Sequence, residues 1–161
     1  MKRTLLSVSA VLLMALLMLS GCTSKLSDMD VEEISSVLEE NIHFSSLLDI
    51  DSETLQSHFN FPKGAVVDFV FKTAADSDSS ADEYGAFLYA DAALGAEMNA
   101  AVSERIQRRS NVFSETNQQE YEKLKNAVIK QQGNVIVFVI CEQWDEAGEL
   151  LKKHVDEPAK K

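Results

Sequence analysis

No part of the chain constrains the architecture more than Gln132-Gly133-Asn134-Val135-Ile136-Val137-Phe138-Val139-Ile140-Cys141-Glu142. Gly133 and Asn134 tolerate positive φ, so the run opens on a turn. The strand that follows, over residues 134–142, has no polar face. A strand that is apolar on both sides needs a cover on both sides, which places it inside a sheet with further layers above and below. The rest of the chain must supply its neighbours and those layers.

Two neighbours can be read upstream. In residues 65–73, Val67, Phe69 and Phe71 alternate with Asp68 and Lys72, the pattern of a half-buried strand. Residues 83–90, Glu-Tyr-Gly-Ala-Phe-Leu-Tyr-Ala, read as a second strand. The small, acidic segment 74–82 between them is of hairpin length, so the two strands are expected to run antiparallel. Residues 127–130 read as a short strand ahead of the turn at Gly133.

The covering layers come from helices. Asp30 with Glu33 three residues on has the form of a capping box, and Val31, Ile34, Leu38 and Ile42 then share a face. Residues 52–59 form a short helix capped by Asp51, with Leu55 and Phe59 inward, before Pro62 and Gly64 break the chain. Residues 91–109 carry Leu94, Met98, Val102 and Ile106 at four-residue intervals, with Ala101 filling in. Arg105, Arg108 and Arg109 then fall in the last turns of this longest helix, where the dipole favours cations. Thr116 with Gln119 forms a second capping box ahead of Tyr121 and Leu124, and Asp145 caps a last helix with Leu150, Leu151 and Val155. The order is ααββααββα, a single α+β domain with a mainly antiparallel sheet of about four strands.

Composition agrees with this. The chain has 161 residues, 45% hydrophobic and 25% charged, which fits one globular domain and excludes a disordered or collagen-like chain. Its net charge of −11 argues against nucleic acid as a partner, because phosphate backbones are held by Lys and Arg.

The N-terminus reads as an address. Lys2 and Arg3 precede an uncharged run over residues 5–19, shorter than the roughly 20 residues of a spanning helix. The run ends in Leu19-Ser20-Gly21-Cys22, which resembles the lipobox of bacterial lipoproteins. There the cysteine thiol takes a diacylglycerol, palmitate being a typical chain, and the preceding Leu19, Ser20 and Gly21 are what the signal peptidase recognises. The expected divisions are a signal peptide over residues 1–21, lipidated Cys22 with a short tether to residue 29, a globular domain over 30–155, and a polar tail over 156–161. Removal of Lys2 and Arg3 leaves 13 basic residues against 26 acidic ones, a net charge of −13. A single lysine in the tether, Lys25, offers no polybasic patch to anionic lipid.

Chemistry-bearing motifs are sparse. His43, His58 and His154 are neither paired nor near a cysteine cluster, so no metal site is expected. Residues 76–83 resemble a calcium loop superficially, but Ala81 stands where the sixth-position glycine belongs and Phe87 where the twelfth-position glutamate belongs. They read as a solvated acidic loop. No nucleophile elbow, phosphate-binding glycine loop or zinc-protease motif is present, so neither catalytic residues nor a cofactor are nominated. Cys141 reads as a small buried hydrophobe and Trp144 as a staple at a helix start. Glu83 stands out. It opens a strand on the face of Phe87 and Tyr89, where it could accept a bond from an arginine of the long helix or face a ligand.

The lipobox, Asp82-Glu83-Tyr84-Gly85-Ala86-Phe87, the helix with Arg108-Arg109, Glu120-Tyr121-Glu122-Lys123-Leu124 and the strand opened by Gly133-Asn134-Val135 occur in a recognisable order. Together, over roughly residues 48–148, they resemble a family of small lipoproteins of Firmicutes-type Gram-positive bacteria, the domain of unknown function numbered 4358. The family's strand motif has an aliphatic residue where Tyr84 stands, and a proline ahead of the Glu120 helix that is missing here. The resemblance implies an α+β fold and an extracytoplasmic place at the outer face of the membrane. It carries no catalytic residues. The expected role is a non-catalytic binding or accessory domain, with the membrane as partner through Cys22 and the protein or envelope partner left unnamed. The alternatives are a cell-envelope hydrolase and a small solute-binding lipoprotein.

Overall fold

The computed structural model describes residues 30–156. The expected signal peptide with Leu19, Ser20 and Gly21, the expected lipidation at Cys22, the expected tether and the tail beyond residue 156 lie outside the described residues.

Helix α1 (Val31–Asn41) starts at Asp30, whose side chain accepts the Glu32 N–H at 2.9 Å, with Glu32 and Glu33 favouring its positive end. Strand β1 (Leu47–Asp49) is three residues long and is not among the strands read from the sequence. Helix α2 (Ser52–His58) is capped by Asp51, which accepts the Thr54 N–H at 2.9 Å. Strands β2 (Val66–Ala74) and β3 (Glu83–Tyr89) pair antiparallel as the hairpin reading expects. A register shift between Val66 and Asp68 turns Val67 outward, where it is 56% exposed, so it does not join Phe69 and Phe71 inside.

A 3-10 turn (Ala92–Leu94), capped by Asp91, leads into α3 (Gly95–Thr116). This helix runs seven residues past the expected end at Arg109. The three arginines therefore sit in its middle, and complementing the helix dipole does not explain them. Thr116 is its last residue and caps nothing, since its hydroxyl donates back to the Val112 carbonyl. The cap of α4 (Gln118–Lys125) is Asn117, whose side chain accepts the N–H groups of Gln119 and Glu120. Strands β4 (Val128–Gln132) and β5 (Val135–Ile140) form the second hairpin. Gly133, at φ 57°, takes the turn's positive φ, and Asn134 does not. Helix α5 (Trp144–Leu151) starts one residue ahead of Asp145, which is a first-turn residue rather than the cap, and ends in a π-helical turn (Lys152–Asp156).

Among the described residues the sheet has five strands in the order β1-β2-β3-β5-β4, every neighbour antiparallel. Strand β5 lies between β3 and β4, and all six of its residues are buried. Its Ile136, Phe138 and Ile140 join one core with Phe59, Phe71, Phe87, Met98, Val102 and Phe113, under α2, α3 and α4. Its Val135, Val137 and Val139 join a second core with Val31, Ile34, Leu38, Ala147, Leu151 and Val155, under α1 and α5. The architecture is thus a single α+β domain of three layers.

Candidate functional site

Asp82, Glu83 and Tyr84, consecutive at the entrance of β3, are all buried. Successive side chains on a strand face opposite ways, so Glu83 and Tyr84 reach opposite layers, while Asp82 lies just ahead of the strand. Glu83 faces α3. Arg105 Nε donates to its Oε1 and Arg105 Nη2 to its Oε2, each at 2.6 Å, and Thr73 Oγ1 donates to Oε2 at 3.1 Å. This is the planar, two-pronged pairing that arginine makes and lysine does not. The Arg105 guanidinium also lies over the rings of Phe59 and Phe71, 5.3 and 5.1 Å from their centroids. Arg109 follows one turn later, with Nη1 3.7 Å from Glu83 Oε2 and Nη2 donating to the Ser80 carbonyl at 2.9 Å. Its buried Nε has no partner among the described residues, and burial pushes its pKa down. Arg108 points outward, to Glu104 and the His58 carbonyl.

Asp82 serves the next contacts. Its Oδ1 accepts from Lys123 Nζ at 2.8 Å and its Oδ2 from the Ser45 N–H at 2.7 Å. Lys123 also lies 3.0 Å from Glu120 Oε2, which accepts the Ala81 N–H at 2.7 Å. Burial works against the charge on Lys123, but the bonds to Asp82 and Glu120 outweigh it and hold its pKa above the ordinary value. Three carboxylates (Asp82, Glu83, Glu120) thus face three cations (Arg105, Arg109, Lys123) under α3 and α4.

Tyr84 faces the other layer. Its hydroxyl meets Ser35 Oγ at 2.7 Å and donates to Glu39 Oε1 at 2.9 Å. Burial raises its pKa. Lys72 Nζ lies 2.7 Å from the same Glu39 oxygen and 3.2 Å from Asp49 Oδ1. The bond to Lys72 lowers the pKa of Glu39, and the bond to Glu39 raises that of Lys72. Beside this pair an open cleft of about 310 Å³ is lined by Glu39, Ile42, His43, Phe44, Leu47 and Lys72 among others.

The arginine that the sequence offers Glu83 on the long helix is Arg105, and both carboxylate oxygens are engaged. Cys141 is fully buried, and burial pushes its thiol up to about 11. His58 packs edge-on against Phe71 at 5.3 Å, its pKa lowered by burial and then by Arg105. In the acidic loop Asp76 and Asp78 are exposed, and the Asp76 carbonyl accepts the N–H groups of Ser79 and Ser80. Among the described residues no group of three or more His, Cys, Asp or Glu is placed to hold a metal ion. Sequence reading missed the Asp82–Lys123–Glu120 cluster and the Tyr84–Glu39–Lys72 cluster. A signal for the first was available in the i, i+3 spacing of Glu120 and Lys123 beside the inward Leu124.

No curated protein and no solved structure matches the chain. One family matches residues 40–141, a span that contains Asp82, Glu83, Tyr84, Arg105, Arg109, Glu120 and Lys123 and excludes Glu39 and α5. With well over half its length inside that match, the chain belongs to the family described as Domain of unknown function (DUF4358).

Proposed function

We propose that the protein is a lipoprotein held through Cys22 at the outer face of the cell membrane, where its α+β domain acts as a non-catalytic binding or accessory module. The observation that carries this is the leader: Lys2-Arg3, an uncharged run, and Leu19-Ser20-Gly21-Cys22 in the right order and spacing. Two acyl chains on one residue meet the two-signal requirement for stable anchoring. Among the described residues no helix is long and apolar enough to cross a membrane. A mature charge of −13 is repelled by anionic lipid, which favours a domain standing off the bilayer. The non-catalytic reading draws support from the carboxylates: Glu83 and Asp82 spend their oxygens on Arg105, Thr73, Lys123 and Ser45.

Metabolic labelling with radioactive palmitate in a Gram-positive host tests the anchor. The wild-type chain should take up label and sediment with membranes, and Cys22→Ala should do neither. Equal labelling of the two, or normal cleavage and membrane retention of the variant, would defeat the proposal.

A further inference from the structure

We propose that the open cleft between α1 and β2 binds a zwitterionic α-amino acid, recognised by the exposed side of the Glu39–Lys72 pair. The inference rests on the binding-module reading and names its ligand class. Both members of the pair have capacity to spare. Lys72 Nζ and the Tyr84 hydroxyl crowd onto Glu39 Oε1, and Oε2 accepts no bond from the described residues. Lys72 Nζ bonds Glu39 and pairs with Asp49 while lining the cleft, and an ammonium has three protons to donate. An unmet carboxylate oxygen and an unmet ammonium proton stand side by side. A simple anion there would meet Glu39 and Asp49, and a simple cation would meet Lys72. A molecule with both charged groups on one carbon satisfies each: its ammonium on Glu39 and its carboxylate on Lys72.

The rest of the cleft fits this class. Its volume, about 310 Å³, suits a small metabolite, and Ile42, Phe44 and Leu47 give an apolar side chain something to pack on. Its wall is also fixed before any ligand arrives. Residues 42–46 have no ladder of their own, yet the His43 N–H donates to Gln143 Oε1 at 2.7 Å and the Ser45 N–H to Asp82 Oδ2 at 2.7 Å. The Ser46 carbonyl accepts the Ala75 N–H at 2.8 Å. The buried charge centre at Asp82 thereby holds the wall of the cleft, and preorganisation of this kind reduces the ordering cost of binding.

Equilibrium dialysis of the full-length protein against radiolabelled L-leucine tests the proposal. Saturable binding at one site should appear, with L-leucinamide and N-acetyl-L-leucine, which each lack one charge, failing to compete. Glu39→Gln keeps an acceptor for Tyr84 and Lys72 while removing the charge, and Lys72→Met removes the ammonium. Each should weaken binding by about tenfold or more, the worth of one charge-assisted bond. The unliganded melting transition of Glu39→Gln establishes that the variant is folded. Absence of saturable binding, or binding that neither substitution nor loss of a ligand charge weakens, overturns the proposal. Cys22→Ala should bind leucine as the wild type does, so failure of the anchor and failure of the cleft are read separately.

Discussion

Glu83 is buried against two arginines, and taking its charge away differs from taking away the pair. In Glu83→Gln, Arg105 and Arg109 would remain desolvated with no anion between them, and breaking a buried pair in this way costs about 3–5 kcal/mol. Urea denaturation should show that loss as a lower midpoint. Adding Arg105→Met to Glu83→Gln should restore part of it, because the second change removes one uncompensated charge and leaves an apolar chain over Phe59 and Phe71. A single variant as stable as the wild type would show that Glu83 does not hold α3 to the sheet. The carboxylate itself was legible in the sequence, as an acid opening an otherwise apolar strand. Its partner was not. Three arginines within five residues look alike until the helical phase is fixed, and placing the helix end at Arg109 made all three look like dipole partners. Once α3 runs to Thr116, Arg105 and Arg109 fall on the stripe of Met98, Val102 and Phe113, and Arg108 falls outside it.

Elements were legible where a local signal marks them, although the caps read at Thr116 and Asp145 lie elsewhere. Asp30 and Asp51 cap the helices they announce, and the turn at Gly133 lies where its positive φ is needed. Strand β1 was hidden because three residues with little burial display no alternation, and only its pairing with Lys72–Ala74 makes it a strand. The close packing of β3 on β5 was hidden as well, because it depends on register. Gly85 lies opposite Phe138, and a Cβ built there would come within 2.6 Å of the Phe138 ring and 2.7 Å of the Phe87 ring. Gly85→Ala would therefore force two core rings aside. The expected loss is about 1–3 kcal/mol, seen as a lower urea midpoint with an unchanged slope. A neutral or stabilising effect would mean that the aromatic layer between β3 and α2 yields far more easily than its stacked and edge-on contacts imply.

At the scale of the whole molecule, the covered sheet sets the chemistry of Cys141. Cys141 continues the β5 run into the core under α1 and α5, where it is fully buried, and its thiol is pushed up to about 11. At pH 8 about one molecule in a thousand carries that thiolate, and the folded domain shields even this fraction from reagent. Cys22, in the proposed mature protein, carries its lipid through a thioether and has no thiol to offer. A disulfide reagent added at pH 8 to protein extracted from membranes should therefore release almost nothing from the native state, and one equivalent after denaturation. The sign of the pH effect follows from the raised pKa: moving from pH 8 to pH 9 should speed the slow native reaction, because the thiolate fraction grows. A count of two thiols after denaturation would leave Cys22 unmodified and remove the anchor. A fast native reaction of Cys141 would mean that the face of the sheet under α1 and α5 opens far more readily than its burial requires.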